Sequence, residues 1–209
     1  AASPLQIPMP SPNYWATMMY YELNTRVGNI FKLSKPSVVI DGFTDPSNTD
    51  ERICLGALSN VNRNQTIENT RKAIGRGLRL DCTAGFNINL MNQSEAPIFV
   101  QSRNLNMKMS QDPTSVYRVP PQANFCVFDN TLFGNKLSAA TKNAVALFDL
   151  RKMCFIRLSF VKGWGQSYAR HDVTSTPCWL EITLHQPLAW IDQSLQSAGP
   201  PSMEIDSMS

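Results

Sequence analysis

The chain has 209 residues, 43% of them apolar and 17% charged, with a formal net charge of +3. That length suits one globular domain, and the apolar runs reach only about five residues against the ~18 that a membrane helix needs. A charge of +3 is too small to argue nucleic-acid binding by itself.

Taken in chain order, residues 1–13 read as the end of a linker, because Pro4, Pro8, Pro10 and Pro12 exclude a helix or a central strand. A domain is expected over residues 14–200. Residues 38–40, 98–100 and 125–128 read as short β segments between Gly, Pro, Asn and Asp clusters. A helix is predicted over 65–74, after the capping residue Asn64 and before Gly75. A second is predicted over 131–148, where Phe133, Leu137, Ala140, Ala144 and Leu147 keep helical spacing.

Two strands carry period-two alternation. Cys154, Ile156, Leu158 and Phe160 alternate with polar residues over 153–161, and Cys178, Leu180, Ile182 and Leu184 do so over 178–184. A last helix is predicted with Pro187 at its first position and Leu188, Ile191 and Leu195 on one face. Gly199, Pro200 and Pro201 end it and leave residues 201–209 as a flexible tail. Several short strands at this spacing imply a mainly β sandwich.

Enzymatic signatures are weak. The histidines are His171 and His185, with no G-x-S-x-G around a serine. A cysteine hydrolase stays open only because its partners meet in space rather than in sequence. Gly75-Arg76-Gly77 lacks the third glycine of a dinucleotide fingerprint, and no cofactor is expected. Cys54, Cys82, Cys126, Cys154 and Cys178 stand 24 to 44 residues apart with no CxxC pair, so metal spacing is absent. They read as reduced packing residues. The sequons at Asn64 and Asn92 matter only in a secreted protein. Lacking an initiator Met and a basic-then-apolar leader, the chain is expected to be a piece of a longer cytosolic or nuclear protein.

One segment differs in kind. Residues 151–172 hold five basic residues against one acid, and the stretch 162–172 between the two patterned strands combines two glycines, two aromatics and two cations. A long aromatic connection suits binding, and its cations suit a phosphate or carboxylate. Equally open is a solvated connection whose Trp164 tucks into the core. The last eight residues carry Glu204, Asp206, Ser207 and Ser209 and no base. Phosphorylation of the two terminal serines would add about −1.5 to −2 charge each.

Several stretches resemble one family. They are Tyr20-Tyr21-Glu22-Leu23-Asn24-x-Arg26-Val27-Gly28, Asp41-Gly42-Phe43-Thr44-Asp45-Pro46-Ser47-Asn48, Leu58-Ser59-Asn60-Val61-Asn62-Arg63-Asn64 and Ile98-Phe99-Val100-Gln101-Ser102. Ser159-Phe160-Val161-Lys162-Gly163-Trp164-Gly165 and Val173-Thr174-Ser175-Thr176-Pro177-Cys178-Trp179 extend the match. Together they resemble the C-terminal Mad homology 2 domain of the Smad proteins over residues 14–209. The resemblance implies a β-sandwich of the Smad/FHA-like kind, with a helix bundle at one end and a loop-helix region at the other. It implies a non-enzymatic transducer of transforming-growth-factor-β-type signals.

In that reading a type I receptor serine/threonine kinase phosphorylates Ser207 and Ser209. Lys162, Arg118 and Arg170 bind the phosphoserines, and the domain forms a homo- or heterotrimer with a common-mediator Smad. The protein then moves from cytoplasm to nucleus to meet transcription cofactors, touching DNA only through an N-terminal domain absent here. Gly163, Trp164, Gly165, Tyr168, Ala169, His171 and Asp172 correspond to the receptor-specificity loop, and Asp41, Arg52 and Asp192 to the trimer interface. The family has a tyrosine where this chain has Phe148, which removes one hydroxyl donor. Asp172, residues 66–71 and the length of 48–52 resemble the bone-morphogenetic-protein branch. Asn124 resembles the activin-type branch, and Ala169 matches neither. The competing class is a constitutive phosphopeptide-binding adaptor that does not use its own tail.

Overall fold

The computed structural model describes residues 13–45 and 49–198. Its strands are β1 (Ala16–Glu22), β2 (Thr25–Arg26), β3 (Phe31–Leu33), β4 (Ser37–Asp41), β5 (Arg52–Cys54), β6 (Leu78–Thr83), β7 (Asn87–Asn92), β8 (Ile98–Gln101), β9 (Tyr117–Val119), β10 (Asn124–Phe128), β11 (Phe155–Phe160) and β12 (Trp179–Leu184). The helices are α1 (Gln65–Ile74), α2 (Arg103–Lys108), α3 (Asn130–Ala140), α4 (Ala144–Leu150) and α5 (His185–Ala198).

Two sheets form. One runs β2-β1-β12-β11-β8-β9, with β3 also on β1, and the other runs β10-β7-β6-β4-β5. All pairs are antiparallel except β4 with β5. The mainly β expectation holds, and it holds because the strands alternate. On β1 the buried residues are Ala16, Met18, Tyr20 and Glu22, and on β12 they include Leu180, Ile182 and Leu184. The register Tyr20↔Leu180 and Leu180↔Leu158 aligns these faces across the first sheet. Val38, Ile40, Leu78, Leu80, Ile88 and Leu90 of the second sheet join them in one core. Each such fully buried apolar side chain contributes ~1.5–3 kcal/mol.

The helices depart from the sequence expectation in three places. The helix expected over 131–148 is two helices, because Asn143 leaves helical geometry (φ −120°, ψ 101°) and its side chain accepts from the Val145 and Ala146 amides at 3.1 Å. An asparagine that can satisfy the orphan amides of a new helix favours a cap over continuation. The last helix starts at His185, so Pro187 is its third residue, still in the first turn where a missing N–H costs no intrahelical bond. Short α2, capped by Ser102, has no sequence period to announce it. Helices α3, α4 and α5 pack on one another.

Cys54, Cys154 and Cys178 are buried and Cys82 and Cys126 half-buried, all as free thiols. The Asn92 sequon is structural: Asn92 is fully buried and donates to the Ala96 and Val119 carbonyls at 2.9 and 3.1 Å. Gly77, at φ +61°, follows α1 where a Cβ would stand 1.9 Å from the Ile40 carbonyl oxygen. Only glycine fits that turn from helix into β6. Among the described residues no helix is long and apolar enough to cross a membrane, and no group of three or more His, Cys, Asp or Glu is placed to hold a metal ion.

Candidate binding site at a tryptophan-anchored loop

Strand β8 lies between β11 and β9, so Ser159, Phe99 and Arg118 stand in one row, which continues through Trp179 to Tyr21. The neighbouring row, Leu158, Val100, Leu180 and Tyr20, faces the main core. Because side chains alternate along a strand, Phe99 and Trp179 lie on the outer face of the first sheet. The loop after β11 folds back to cover them. Trp164 and Val173, each 3% exposed, join Phe99 and Trp179 in a second apolar cluster, against which Tyr21 and Val116 pack. Tyr21 stacks on Trp179 with centroids 4.2 Å apart, and the Trp179 indole donates to the Leu23 carbonyl at 2.7 Å.

Backbone geometry fixes the two ends of this loop. Val161 takes φ +69°, and its N–H donates to the Pro97 carbonyl at 2.9 Å. The Ser159 hydroxyl donates to the Lys162 carbonyl at 2.6 Å. Gly163 is obligatory, since a Cβ would sit 2.7 Å from the Phe99 ring and 2.9 Å from the Tyr168 ring. Farther on, the Gly165 amide donates to the Arg170 carbonyl at 2.8 Å, and the Asp172 carboxylate accepts from the Thr174 amide at 2.9 Å.

Of the two readings left open for Trp164, burial is correct, and it coexists with an exposed loop surface. Trp164 is the anchor, while Lys162, Tyr168, Ala169, His171 and Asp172 are exposed and Arg170 is half-buried. Tyr168 meets Phe99 edge-on at 5.3 Å. Arg118 is exposed on edge strand β9. Lys162 borders an open cavity of about 220 Å3 with Thr66, Asn69 and Thr70 of α1 and Val161.

Of the three other charged candidates, Asp41 and Arg52 pair with each other and Asp192 stands apart. The carboxylate of Asp41, 2% exposed, accepts from Arg52 Nε at 2.7 Å, and Arg52 also reaches Asp45 at 2.9 Å and covers the Phe43 ring. Asp192 is on α5, facing Arg151 at 3.4 Å. Phe148 on α4 is 64% exposed and lies under the Arg151 guanidinium. Ser207 and Ser209 lie outside the described residues. His185 bonds to the Thr17 hydroxyl at 2.8 Å, and burial lowers its pKa from the usual histidine value, which suits a satisfied structural side chain rather than a base.

Sequence reasoning missed the groups that hold α1 in place. Glu22, 1% exposed, ends the buried face of β1. Its carboxylate accepts from the Tyr20 hydroxyl at 2.6 Å, the Asn60 amide at 2.8 Å and Arg63 Nε at 2.9 Å, with Arg71 Nε at 3.5 Å. Arg63 also donates to the Leu58 carbonyl, and Arg71 to those of Gly56 and Leu58. Glu68 faces both arginines from the solvent side. The signal was present: a carboxylate on the apolar face of an alternating strand demands a cation.

This architecture agrees with the comparisons to known proteins. A family model described as the MH2 domain matches residues 13–185. The chain belongs to the MH2 family. It is 50% identical over 203 residues to "Dwarfin sma-3" of Caenorhabditis elegans, covering 96% of this chain and 52% of that protein. The MH2 chain thus spans about half the length of the curated relative it matches. Among solved structures, the IAD domain of interferon regulatory factor 9 aligns with a TM-score of 0.60 at 10% identity, over 94% of this chain and 96% of that one. A chain from the structure of STAT2 in complex with IRF9 aligns at 0.58 and 12% identity, over 91% and 99%. At such identities the likeness is one of fold, and it places this MH2 domain with the Smad/FHA-like sandwiches.

Proposed function

We propose that this MH2 domain is the signal-receiving part of a receptor-regulated Smad, a non-enzymatic transducer of transforming-growth-factor-β-family signals. A type I receptor kinase docks on the exposed surface of the 162–172 loop and phosphorylates Ser207 and Ser209. The phosphorylated tail of one subunit then binds Lys162, Arg118 and Arg170 of the next. The last eight residues, fully extended, span ~25 Å, enough to reach a neighbour. Head-to-tail contacts of this kind are heterologous and close into a ring when the rotation permits, here a homotrimer or a heterotrimer with a common-mediator Smad. Asp41, Arg52 and Asp192 line the contact between subunits. The assembled protein passes from cytoplasm to nucleus and acts through transcription cofactors.

The observation that carries this reading is the loop itself. Its buried Trp164 holds exposed cations at a fixed place, within a domain half identical to a Smad-family protein. Charge-assisted hydrogen bonds contribute about 1.5–3 kcal/mol each, so several per interface convert weak association into stable assembly, whereas unmodified serines supply little of that. The test is solution mass by light scattering across a concentration series, with and without phosphate on Ser207 and Ser209. A salt-sensitive trimer formed only by the phosphorylated chain, and weakened by Lys162→Ala, is expected. An unchanged mass refutes the switch and favours an adaptor that does not use its own tail. Removing residues 203–209 separates the two again, since the adaptor keeps its binding.

A further inference from the structure

Where β1, β3 and β12 meet the start of α5, a histidine is held without a counter-charge. His185 is the first residue of α5 and is half-buried, and its Nε2 shares a 2.8 Å hydrogen bond with the Thr17 hydroxyl of β1. Its backbone N–H donates to the Trp15 carbonyl at 3.2 Å, and its ring meets that of Tyr14 edge-on with centroids 5.3 Å apart. We propose that this corner is an acid-sensitive latch, in which neutral His185 ties the start of α5 to β1 and its protonation releases that end of the helix. The position of α5, and of Asp192 on it, thereby becomes pH-dependent.

Several features oppose an imidazolium here. The Tyr14 ring already carries the Lys32 ammonium, 5.3 Å from its centroid, so a protonated His185 brings a second positive charge to one aromatic ring. His185 also stands at the N-terminal end of a 14-residue helix, where the dipole disfavours a cation. Burial acts in the same direction and lowers its pKa from the usual histidine value. No carboxylate compensates. The acids on the elements that pack at this corner are Glu22 of β1, Glu181 of β12 and Asp192 of α5. Glu22 lies at the far end of β1 with Arg63 at 2.9 Å, Glu181 bonds to Arg157 at 3.1 Å, and Asp192 faces Arg151 at 3.4 Å. Strand β3 and the residues after it add the cations Lys32 and Lys35. Across the register Thr17 stands opposite Thr183 and Lys32, so neither neighbour offers an acid to the ring. The Thr17 hydroxyl can turn from donor to acceptor, so the uncompensated charge, and not a lost hydrogen bond, is what opens the latch. The sign follows: a histidine whose folded pKa lies below the unfolded ~6.5 contributes stability above that value and loses it as pH falls through the folded one.

The test is NMR on the full chain between pH 8 and 5. The ring resonances of the two histidines, His171 and His185, are assigned with the exposed variant His171→Gln. His185 is expected to titrate below ~6.5. Across that same transition the amides of residues 189–192, corrected for the intrinsic pH dependence of exchange, should speed up about ten-fold relative to those of α1. His185→Gln, checked for folding by circular dichroism, should abolish the acceleration. A His185 midpoint at or above ~6.5, or α5 amides that keep pace with α1 throughout the titration, overturns the latch. Both readouts come from the unmutated ring, so the proposal stays refutable even where His185→Gln fails to fold.

Discussion

Glu22→Gln removes one negative charge from a point where a phenol, an amide and two guanidinium groups converge. The substitution keeps the shape of the side chain, so the cost is electrostatic. Arg63 and Arg71, whose side chains are only 10% and 12% exposed, would face each other across a neutral amide. Arg71 Nε, already buried without a well-formed hydrogen bond, would lose the carboxylate that faces it, leaving that guanidinium only Glu68 on the solvent side. Breaking a buried pair by removing one partner costs about 3–5 kcal/mol, because the remaining charge stays desolvated. For a domain of this size, where each kcal/mol moves Tm by about 2–4 °C, the melting temperature should fall by roughly 6–20 °C. Circular dichroism during thermal and urea unfolding reads this directly. The double variant Glu22→Gln, Arg63→Met should regain part of the loss, because it removes the charge left unpaired. A shift under about 2 °C for Glu22→Gln would refute the claim that this carboxylate holds α1 and the 58–63 loop to the sheet.

Three further outcomes are expected. Gly163→Ala, by forcing Phe99 and Tyr168 apart, should cost about 1–3 kcal/mol and displace the loop, lowering phosphopeptide affinity while the sandwich stays folded by circular dichroism. Asp129 caps α3 and bonds to Lys108 Nζ at 3.0 Å, and that hydrogen bond is the main reason its carboxyl is held below the usual carboxylate range. A depressed folded pKa contributes stability above the unfolded value of ~3.9 and loses it as pH falls through the folded value. Wild type should therefore lose its advantage over Asp129→Asn as pH drops below about 4 in urea titrations. Burial pushes the Cys154 and Cys178 thiols up to about 12 and the Cys82 thiol up to about 11. These three should stay unreactive to a disulfide reagent at pH 8 in the folded chain and react fully in denaturant. Rapid modification of native Cys178 would contradict its burial beside Tyr20.

What near neighbours encode was legible from the residues alone. Alternation over 153–161 and 178–184 specified β11 and β12, and Asn64 with Gly75 bounded α1 to the residue. Contiguous stretches such as Val161-Lys162-Gly163-Trp164-Gly165 carried the family, which the MH2 match bears out. Asn143 went unread as a cap, because the apolar spacing on both sides of it reads as one helix over 131–148. Only tertiary structure could say that the chain breaks there to let α3, α4 and α5 pack together. The same holds for the site. Whether Trp164 points in or out depends on Phe99 and Trp179, which reach the same outer face only through strand pairing across dozens of residues. That Lys162 stands beside Thr66 and Asn69, and that Glu22 meets Arg63 and Arg71, follows from the same long-range register. Periodicity tells a side chain which face to take, but not which distant residue will cover that face, because the covering partner is chosen by the pairing of whole strands.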